Sequence, residues 1–194
     1  MPKATRAELL QDLWLDYEND PHWAHLRVPG IRLVEGNGPA DADVMIVGEA
    51  PGARENGAGA PFIGQSGIVL DSLIELAGWK RSEVYVTNVV KYRPPGNRTP
   101  TAREVVHGRE YLRREWGILR PRYTVCVGAV AHLTLRGAGF SVGAESQRGY
   151  WEEFGEGLVT SSYHPAFGLR NPKMQPVMEA DWERMREGKR YAQG

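Results

Sequence analysis

Short apolar runs alternate with amphipathic segments along most of the chain. The runs predict buried strands, because they are nearly continuous in apolar character and end at glycine or polar residues. They occupy residues 44–47, 84–86, 123–127 and 158–161. Apolar residues at helical spacing predict helices at residues 6–17, 67–76, 101–118, 128–135 and 177–185. The helix that begins at Thr101 carries a capping-box pair, Thr101 and Glu104.

Strands that alternate with helices indicate a parallel sheet with helices on both faces. We therefore expect an α/β protein, a single-domain three-layer αβα sandwich with a central, mainly parallel four-stranded sheet. The domain is expected to span residues 1–194, with an N-terminal helix and lead-in at 1–40 and the αβα core at 41–187. Glycines punctuate residues 139–154, a pattern compatible with a hairpin.

Composition narrows the class of protein further. The apolar fraction of 41% and the charged fraction of 25% are typical of a soluble globular protein. No apolar run could span a bilayer and no signal-peptide pattern opens the chain, so we expect a cytoplasmic monomer with no membrane partner. Because 24 Lys and Arg residues balance 24 Asp and Glu residues, any nucleic-acid-binding surface must be a local patch.

Polar segments follow the predicted strands directly, and in parallel sheets ligands bind beyond the carboxyl ends of the strands. The first is GEAPG at 48–52, continued by PFIGQSG at 61–67. Its glycines allow close approach of the backbone to a ligand. It is neither a P-loop nor a GxGxxG fingerprint. Glu49 could act as a general base for water, or it could be a solvated loop carboxylate.

The second segment is NVVKYRPPGNRTP at 88–100. The amide of Asn88 offers one acceptor and two donors, which suits the edge of a nucleobase, although an isolated Asn more often caps a turn. The cations of this segment could contact phosphates or be solvated; they are Lys91, Arg93 and Arg98.

The third segment is HPAFGLR at 164–170. A lone histidine such as His164 is more often structural than catalytic, but this one follows a predicted strand. It precedes an expected loop whose tip is Leu169-Arg170. Such a tip could wedge an apolar side chain into a base stack while the Arg meets a phosphate.

In this order and spacing, the segments resemble the iron–sulfur (family 4) uracil-DNA glycosylases. That family shows GE-x-PG-x-x-E, PF-[VI]-G-x-[AS]-G-x-x-L, NVVK-x-RPP-x-NR-x-PT, and HP-[SA] with a downstream LR. The resemblance covers residues 41–170. It implies an enzyme that flips uracil out of DNA and hydrolyses its N-glycosidic bond, leaving an abasic site for base excision repair. The implied partner is DNA that contains uracil or another damaged base.

The resemblance also implies roles for individual residues. Glu49 and His164 match the catalytic pair, the first positioning water and the second donating to uracil O2. The implied base-binding residues are Ala50, Gly52, Phe62 and Asn88, with Phe62 stacking on the base and Asn88 reading its edge. The implied DNA contacts are Lys91, Arg93, Arg98, Leu169 and Arg170. Glu55 matches an acidic position to which we assign no role.

One departure from the family concerns its [4Fe–4S] cluster, which needs four cysteines. The chain has one, Cys126, which its apolar neighbours indicate is a buried strand residue rather than a nucleophile. Tyr92 and the region of Gly108 stand where the family has cluster cysteines. We therefore expect no cofactor and no metal, with Tyr92 and N-terminal Trp, His and Val residues filling the space. No histidine-bearing insertion follows Lys91, so irreversible trapping on DNA is not expected.

Two alternatives to uracil release remain open from the sequence. The enzyme could act on another deaminated or modified base, because pocket size is invisible at this level. The chain could also be a catalytically silent module that binds DNA or a nucleotide, since loss of the cluster cysteines is compatible with divergence. Retention of the catalytic and base-binding residues argues against the silent module.

Overall fold

The computed structural model describes residues 4–137 and 141–191, and the side chains as far as residue 188. In these residues, seven helices and five strands make up the fold. The helices are α1 (Arg6–Asn19), α2 (Ala53–Ala58), α3 (Gln65–Leu76), α4 (Ala102–Leu119), α5 (Ala129–Arg136), α6 (Pro165–Arg170) and α7 (Gln175–Tyr191). The strands are β1 (Val44–Gly48), β2 (Val84–Asn88), β3 (Tyr123–Val127), β4 (Glu152–Phe154) and β5 (Gly157–Ser162).

The strands form one sheet in the order β2-β1-β3-β5-β4. Neighbours among β2, β1, β3 and β5 run parallel, and β4 pairs antiparallel with β5. The α/β class and the mainly parallel sheet are thus confirmed, but the expected count of four strands is wrong.

The missed strand, β4, is the edge of a hairpin that β5 completes. Its three residues, Glu152, Glu153 and Phe154, are polar and partly exposed, so they lack the apolar pattern of a buried strand. The hairpin expected at 139–154 therefore extends further, to Ser162, and residues 138–140 lie outside the described part of the chain.

Two apolar layers sandwich the sheet, because all residues of β1, β2 and β3 are buried and alternate strand positions face opposite sides. Met45, Val47 and Tyr85 pack with α1 and α4 on one face. Ile46 and Val86 pack with α3 and α7 on the other face. This arrangement leaves the carboxyl ends of the parallel strands free to carry the polar loops.

Local signals explain where two of the helices begin. Thr101 accepts the backbone N–H of Glu104 while the Glu104 carboxylate accepts the N–H of Thr101, so the expected capping box of α4 is confirmed. The segment after His164 is α6, one short helix with Pro165 in its first turn, rather than the loop we expected. Within the described residues, no helix is long and apolar enough to cross a membrane.

Candidate active site

A cavity of about 500 Å³ opens at the carboxyl edge of the sheet, a size within the usual range for small-molecule sites. Loops that follow β1, β2, β3 and β5 all contribute to its wall. Eight of the site residues expected from the sequence line it: Glu49, Ala50, Gly52, Phe62, Asn88, Arg98, His164 and Arg170. Segments far apart in sequence therefore meet at one point, as the strand order requires.

Glu49 follows β1 directly and is half-buried in the cavity wall. Burial raises the pKa of its carboxyl group, whereas a hydrogen bond with the Thr99 side chain and the positive charge of Arg170 oppose that rise. The Glu49 carboxylate thus accepts a hydrogen bond from the Thr99 side chain in a partly desolvated environment. Such a group can orient a water molecule or stabilise a developing positive charge.

His164 caps the N-terminus of α6, and its Nδ1 accepts the backbone N–H of Ala166 over 3.1 Å. Burial, helped by the positive charge of Arg170, lowers the pKa of the imidazole to about 4 against the opposing charge of Glu55. The ring is therefore neutral at neutral pH. Because Nδ1 is an acceptor, the proton of the neutral ring lies on Nε2, which makes Nε2–H the donor of this side chain.

Asn88 and Phe62 converge over Gly48, the last residue of β1. A Cβ atom at Gly48 would lie 2.5 Å from Oδ1 of Asn88 and 2.5 Å from Cζ of Phe62. Both side chains are buried, and the rings of Phe62 and His164 lie 5.6 Å apart, nearly parallel. Only a residue without a side chain allows this close approach.

The loop that carries Phe62 is held in an unusual conformation. Phe62 adopts a φ of +54°, which L residues rarely occupy and which is typical of functional sites. The buried carboxylate of Glu55 accepts the backbone N–H of Gly52 over 3.1 Å and that of Gly64 over 2.9 Å. Glu55 therefore joins the two halves of the glycine-rich segment, a role that its sequence position alone did not indicate.

Lys91 does not lie where a phosphate could reach it, so the expectation of a DNA contact there is wrong. Its ammonium is completely buried and pairs with Glu115 of α4 at 2.7 Å. The motif showed a cation near the site, but the direction of its side chain depends on α4, a helix more than ten residues further on.

The other expected DNA contacts are accessible but only some line the cavity. Arg98 lines it and binds the carboxylate of Glu104 through both terminal nitrogens. Arg93 lies outside the cavity wall, with its Nε donating to Oδ1 of Asn97 over 2.6 Å. Leu169 is 41% exposed, and it precedes Arg170 in the last turn of α6.

The profile of the Uracil DNA glycosylase superfamily matches residues 35–186. The chain belongs to this superfamily. It is 38% identical over 162 residues to the type-4 uracil-DNA glycosylase of Sulfurisphaera tokodaii, covering 79% of this chain and 73% of the relative. It is 37% identical to the type-4 uracil-DNA glycosylase of Saccharolobus solfataricus, covering 79% and 74%. The type-4 enzyme of Pyrobaculum aerophilum is 38% identical, with 76% and 79% covered.

Tyr92 and the region of Gly108 stand where the resemblance to the iron–sulfur enzymes would place cluster cysteines. Tyr92 is buried there and packs against Tyr17, with ring centroids 5.7 Å apart. A Cβ atom at Gly108 would lie 2.6 Å from the carbonyl oxygen of Val89, so a cysteine does not fit at that position. Packed aromatic rings and close backbone contact thus occupy the positions where the resembled family has cysteines.

The donor atoms also fail to fit a cysteine-ligated cluster. Cys126 is buried in β3, as expected, and burial raises the pKa of its thiol to about 12. In residues 4–137 and 141–191, no three or more His, Cys, Asp or Glu side chains are grouped to hold a metal ion. The residues present therefore do not fit a [4Fe–4S] group.

Sequence reasoning missed several residues of the site. Thr99 belongs to the second motif, and its bond to Glu49 is a contact between segments 50 residues apart. Gly128 directly follows β3 and has a φ of +93°; it lies against the His164 side chain, so that a Cβ atom there would be 3.1 Å from Cβ of His164. Further wall residues were missed because their apolar or aromatic side chains carry no chemical signal, although Phe167 lies within the third motif; they are Val142, Tyr163 and Phe167.

Proposed function

We propose that this protein is a monofunctional DNA glycosylase that hydrolyses the N-glycosidic bond of uracil in DNA. The product is an abasic site, which base excision repair would process further. The observation that carries the proposal is the meeting of Glu49, Phe62, Asn88 and His164 in one cavity of suitable size. The relatives named as type-4 uracil-DNA glycosylases support the same activity.

Recognition begins with extrusion of the base, since its glycosidic bond cannot be reached inside a duplex. Extrusion costs a few kcal/mol, and Leu169 would hold the gap in the base stack. Phe62 would stack on the extruded ring, beside the backbone of Ala50 and Gly52. The amide of Asn88 would pair with the carbonyl and N–H groups on the uracil edge.

The reaction breaks the bond between N1 of uracil and C1′ of the sugar. The bond's electron pair leaves with the base, so negative charge grows on uracil O2 and positive charge on the sugar. Nε2–H of His164 would donate to O2, and a neutral imidazole suits this role because it stabilises the anion without first giving up a proton. Glu49 would stabilise the sugar cation and direct water to C1′.

Binding of the DNA phosphates requires cations close to the cavity, because the protein has no net positive charge that would attract DNA as a whole. Arg93, Arg98 and Arg170 are the cations we assign to this role, with Arg170 also influencing Glu49 and His164. Lys91 is not among them. No step of this mechanism requires a metal or an iron–sulfur cluster.

The test measures base release from matched oligonucleotides that carry one uracil, hypoxanthine, xanthine or hydroxymethyluracil, single- and double-stranded. Alkali then cleaves the DNA at abasic sites. We expect release of uracil, reduced by about two orders of magnitude in Glu49→Gln and in His164→Ala. Glu110→Gln, on the exposed face of α4, is the matched control and should keep the wild-type rate.

Other results would change the assignment in distinct ways. Near-normal rates in both site variants would remove Glu49 and His164 from the mechanism. Release of a different base would keep the enzyme class but change its substrate. No release from any oligonucleotide, with salt-sensitive DNA binding intact, would make the protein a recognition module instead of an enzyme.

A further inference from the structure

The buried ammonium of Lys91 makes three hydrogen bonds, which uses all of its protons. The acceptors are Oγ1 of Thr87 at 2.5 Å, the carbonyl oxygen of Asn88 at 2.5 Å and Oε2 of Glu115 at 2.7 Å. Two of these three acceptors belong to Thr87 and Asn88, the last residues of β2. The acceptor from Asn88, the proposed base-reading residue, is its main-chain carbonyl.

The counter-charge is equally enclosed. Glu115 is completely buried, and its second carboxylate oxygen accepts the hydroxyl of Tyr85 over 2.9 Å. The ring of Trp14 lies 5.2 Å from the Lys91 ammonium on the same side of the sheet. Lys91 and Glu115 therefore form a closed polar network between β2 and α4, without contact to the cavity.

A buried ion pair is a poor way to stabilise a fold, because the desolvation of two charges offsets most of their attraction. Apolar side chains of similar size would serve packing at least as well. A role for the network is therefore to be found in the groups whose position it fixes. Its one main-chain acceptor is Asn88, where β2 ends.

The position of Asn88 decides the geometry of the cavity. Its amide reaches past Gly48 toward Phe62, on the face of β2 opposite to Thr87 and Tyr85. The next residue, Val89, donates its N–H to the carbonyl of Gly48 over 2.9 Å. Lys91 and β1 thus hold the two polar groups of one peptide unit, the carbonyl of Asn88 from the α4 side and the N–H of Val89 from β1.

We propose that Lys91, neutralised by Glu115, is a positioning residue that fixes Asn88 and so determines the preference for uracil over cytosine. The inference rests on the proposed function, in which Asn88 reads the base edge. Uracil and cytosine differ by exchange of donor and acceptor at that edge. An amide distinguishes them only when its position and rotation are fixed, since a mobile amide could satisfy either pattern.

The test removes both charges together, because removal of one partner would leave the other charge buried and unpaired. The variant is Lys91→Met/Glu115→Gln, and Tyr85→Phe is the matched control, since it removes a bond of the same network that does not reach Asn88. Asn88→Ala shows which base preference remains when the proposed base-reading side chain is absent. If the double variant unfolds below the assay temperature, Lys91→Met/Glu115→Leu/Tyr85→Phe replaces the whole network by apolar groups.

Two quantities are measured for each variant, the thermal midpoint and the ratio of two dissociation constants. The ligands are single-stranded oligonucleotides with one 2′-fluoro-deoxyuridine or one 2′-fluoro-deoxycytidine, in which the fluorine slows bond cleavage. In the folded double variant we expect the preference for uracil to fall about tenfold or more, toward that of Asn88→Ala. Tyr85→Phe should keep the wild-type preference.

A folded double variant that retains the wild-type preference, while Asn88→Ala loses it, would overturn the inference and leave the proposed function intact. A preference that persists in Asn88→Ala would remove Asn88 as the reader and overturn the inference, while uracil release would still support the proposed function. Loss of preference in Tyr85→Phe to the same extent would mean that general loosening, rather than the bond to Asn88, is responsible, and would also overturn the inference.

Discussion

Asn88 and Lys91 stand three residues apart in one motif, yet their side chains reach different environments. Asn88 lines the cavity, whereas Lys91 meets Glu115 in the interior. The chemical type of each side chain was evident from the sequence. The side to which each one points was not, because it depends on where β2 ends and on what α4 offers opposite it.

A methyl group at Gly48 provides a direct test of the cavity geometry. We expect Gly48→Ala to lower uracil release by about two orders of magnitude, because the new Cβ would lie 2.5 Å from both Asn88 and Phe62 and must displace them. Single-turnover rates measure the effect. Gly117→Ala is the matched control, since apart from its chain neighbours and the nearby backbone of α4 no atom lies within 4 Å of its Cβ position.

The control should be stabilised slightly, by roughly 0.5–1 kcal/mol, since alanine is the better residue inside a helix. Wild-type rates in Gly48→Ala would show that Asn88 and Phe62 do not need their present positions, and would count against their proposed roles.

One carboxylate at the N-terminus of α4, that of Glu104, connects the loop between β2 and α4 with the segment that follows α1. Glu104 is buried and accepts hydrogen bonds from Arg98, from the N–H of Thr101 and from Nε2 of His25. These partners, the Arg98 guanidinium above all, lower the pKa of Glu104 to about 2. The helix end thus holds the loop that carries Arg98 and Thr99 beside the cavity.

This arrangement predicts a defined pH dependence of stability. Because the folded pKa of Glu104 is below its ordinary value of 4.5, its contribution is complete above pH 4.5 and is lost as pH falls toward 2. We expect Glu104→Gln to lower the free energy of unfolding by about 1–3 kcal/mol at pH 7 and by less at pH 3. Urea unfolding at both pH values measures the difference.

Glu110→Gln serves as the control in the same helix, because its exposed ion pairs contribute little. An equal loss for Glu104→Gln at both pH values would mean that the charge of Glu104 is not what stabilises the helix end.

Packed aromatic rings attach α1 and the residues that follow it to the rest of the molecule. Tyr17 stacks on Trp23 with centroids 4.7 Å apart and meets Tyr111 of α4 at the same distance. His22 stacks on His107 at 3.7 Å, which joins the segment to α4 a second time. Tyr17 also packs against Tyr92, so these rings adjoin one of the positions that the resemblance assigns to cluster cysteines.

Iron should therefore have no effect on this protein. We expect the protein produced in iron-depleted medium and the protein produced in iron-rich medium to have the same thermal midpoint and the same rate of uracil release. Trp23→Ala should destabilise both preparations, by about 3–5 kcal/mol, since it removes a completely buried ring. Stoichiometric iron in the purified protein, with loss of stability on its removal, would contradict this account.

The sequence predicted the parallel strands within one or two residues at each end, because buried strands and amphipathic helices have a local apolar pattern. It missed β4, whose charged residues pair at an exposed edge, and the short helix α6, which has too few turns to show a period. The motif order also predicted which segments meet, since parallel strands place their following loops at one edge.

The sequence by itself determined the fold class, the lack of cluster ligands and the identity of eight of the residues that line the cavity. The tertiary structure alone decided how those groups act. Ala166 places the proton of His164 on Nε2, and Glu55 joins two loops. Lys91 is withdrawn from the surface by Glu115. The physical reason is that side-chain identity is local, whereas burial and hydrogen-bond partners come from segments that meet only when the chain has folded.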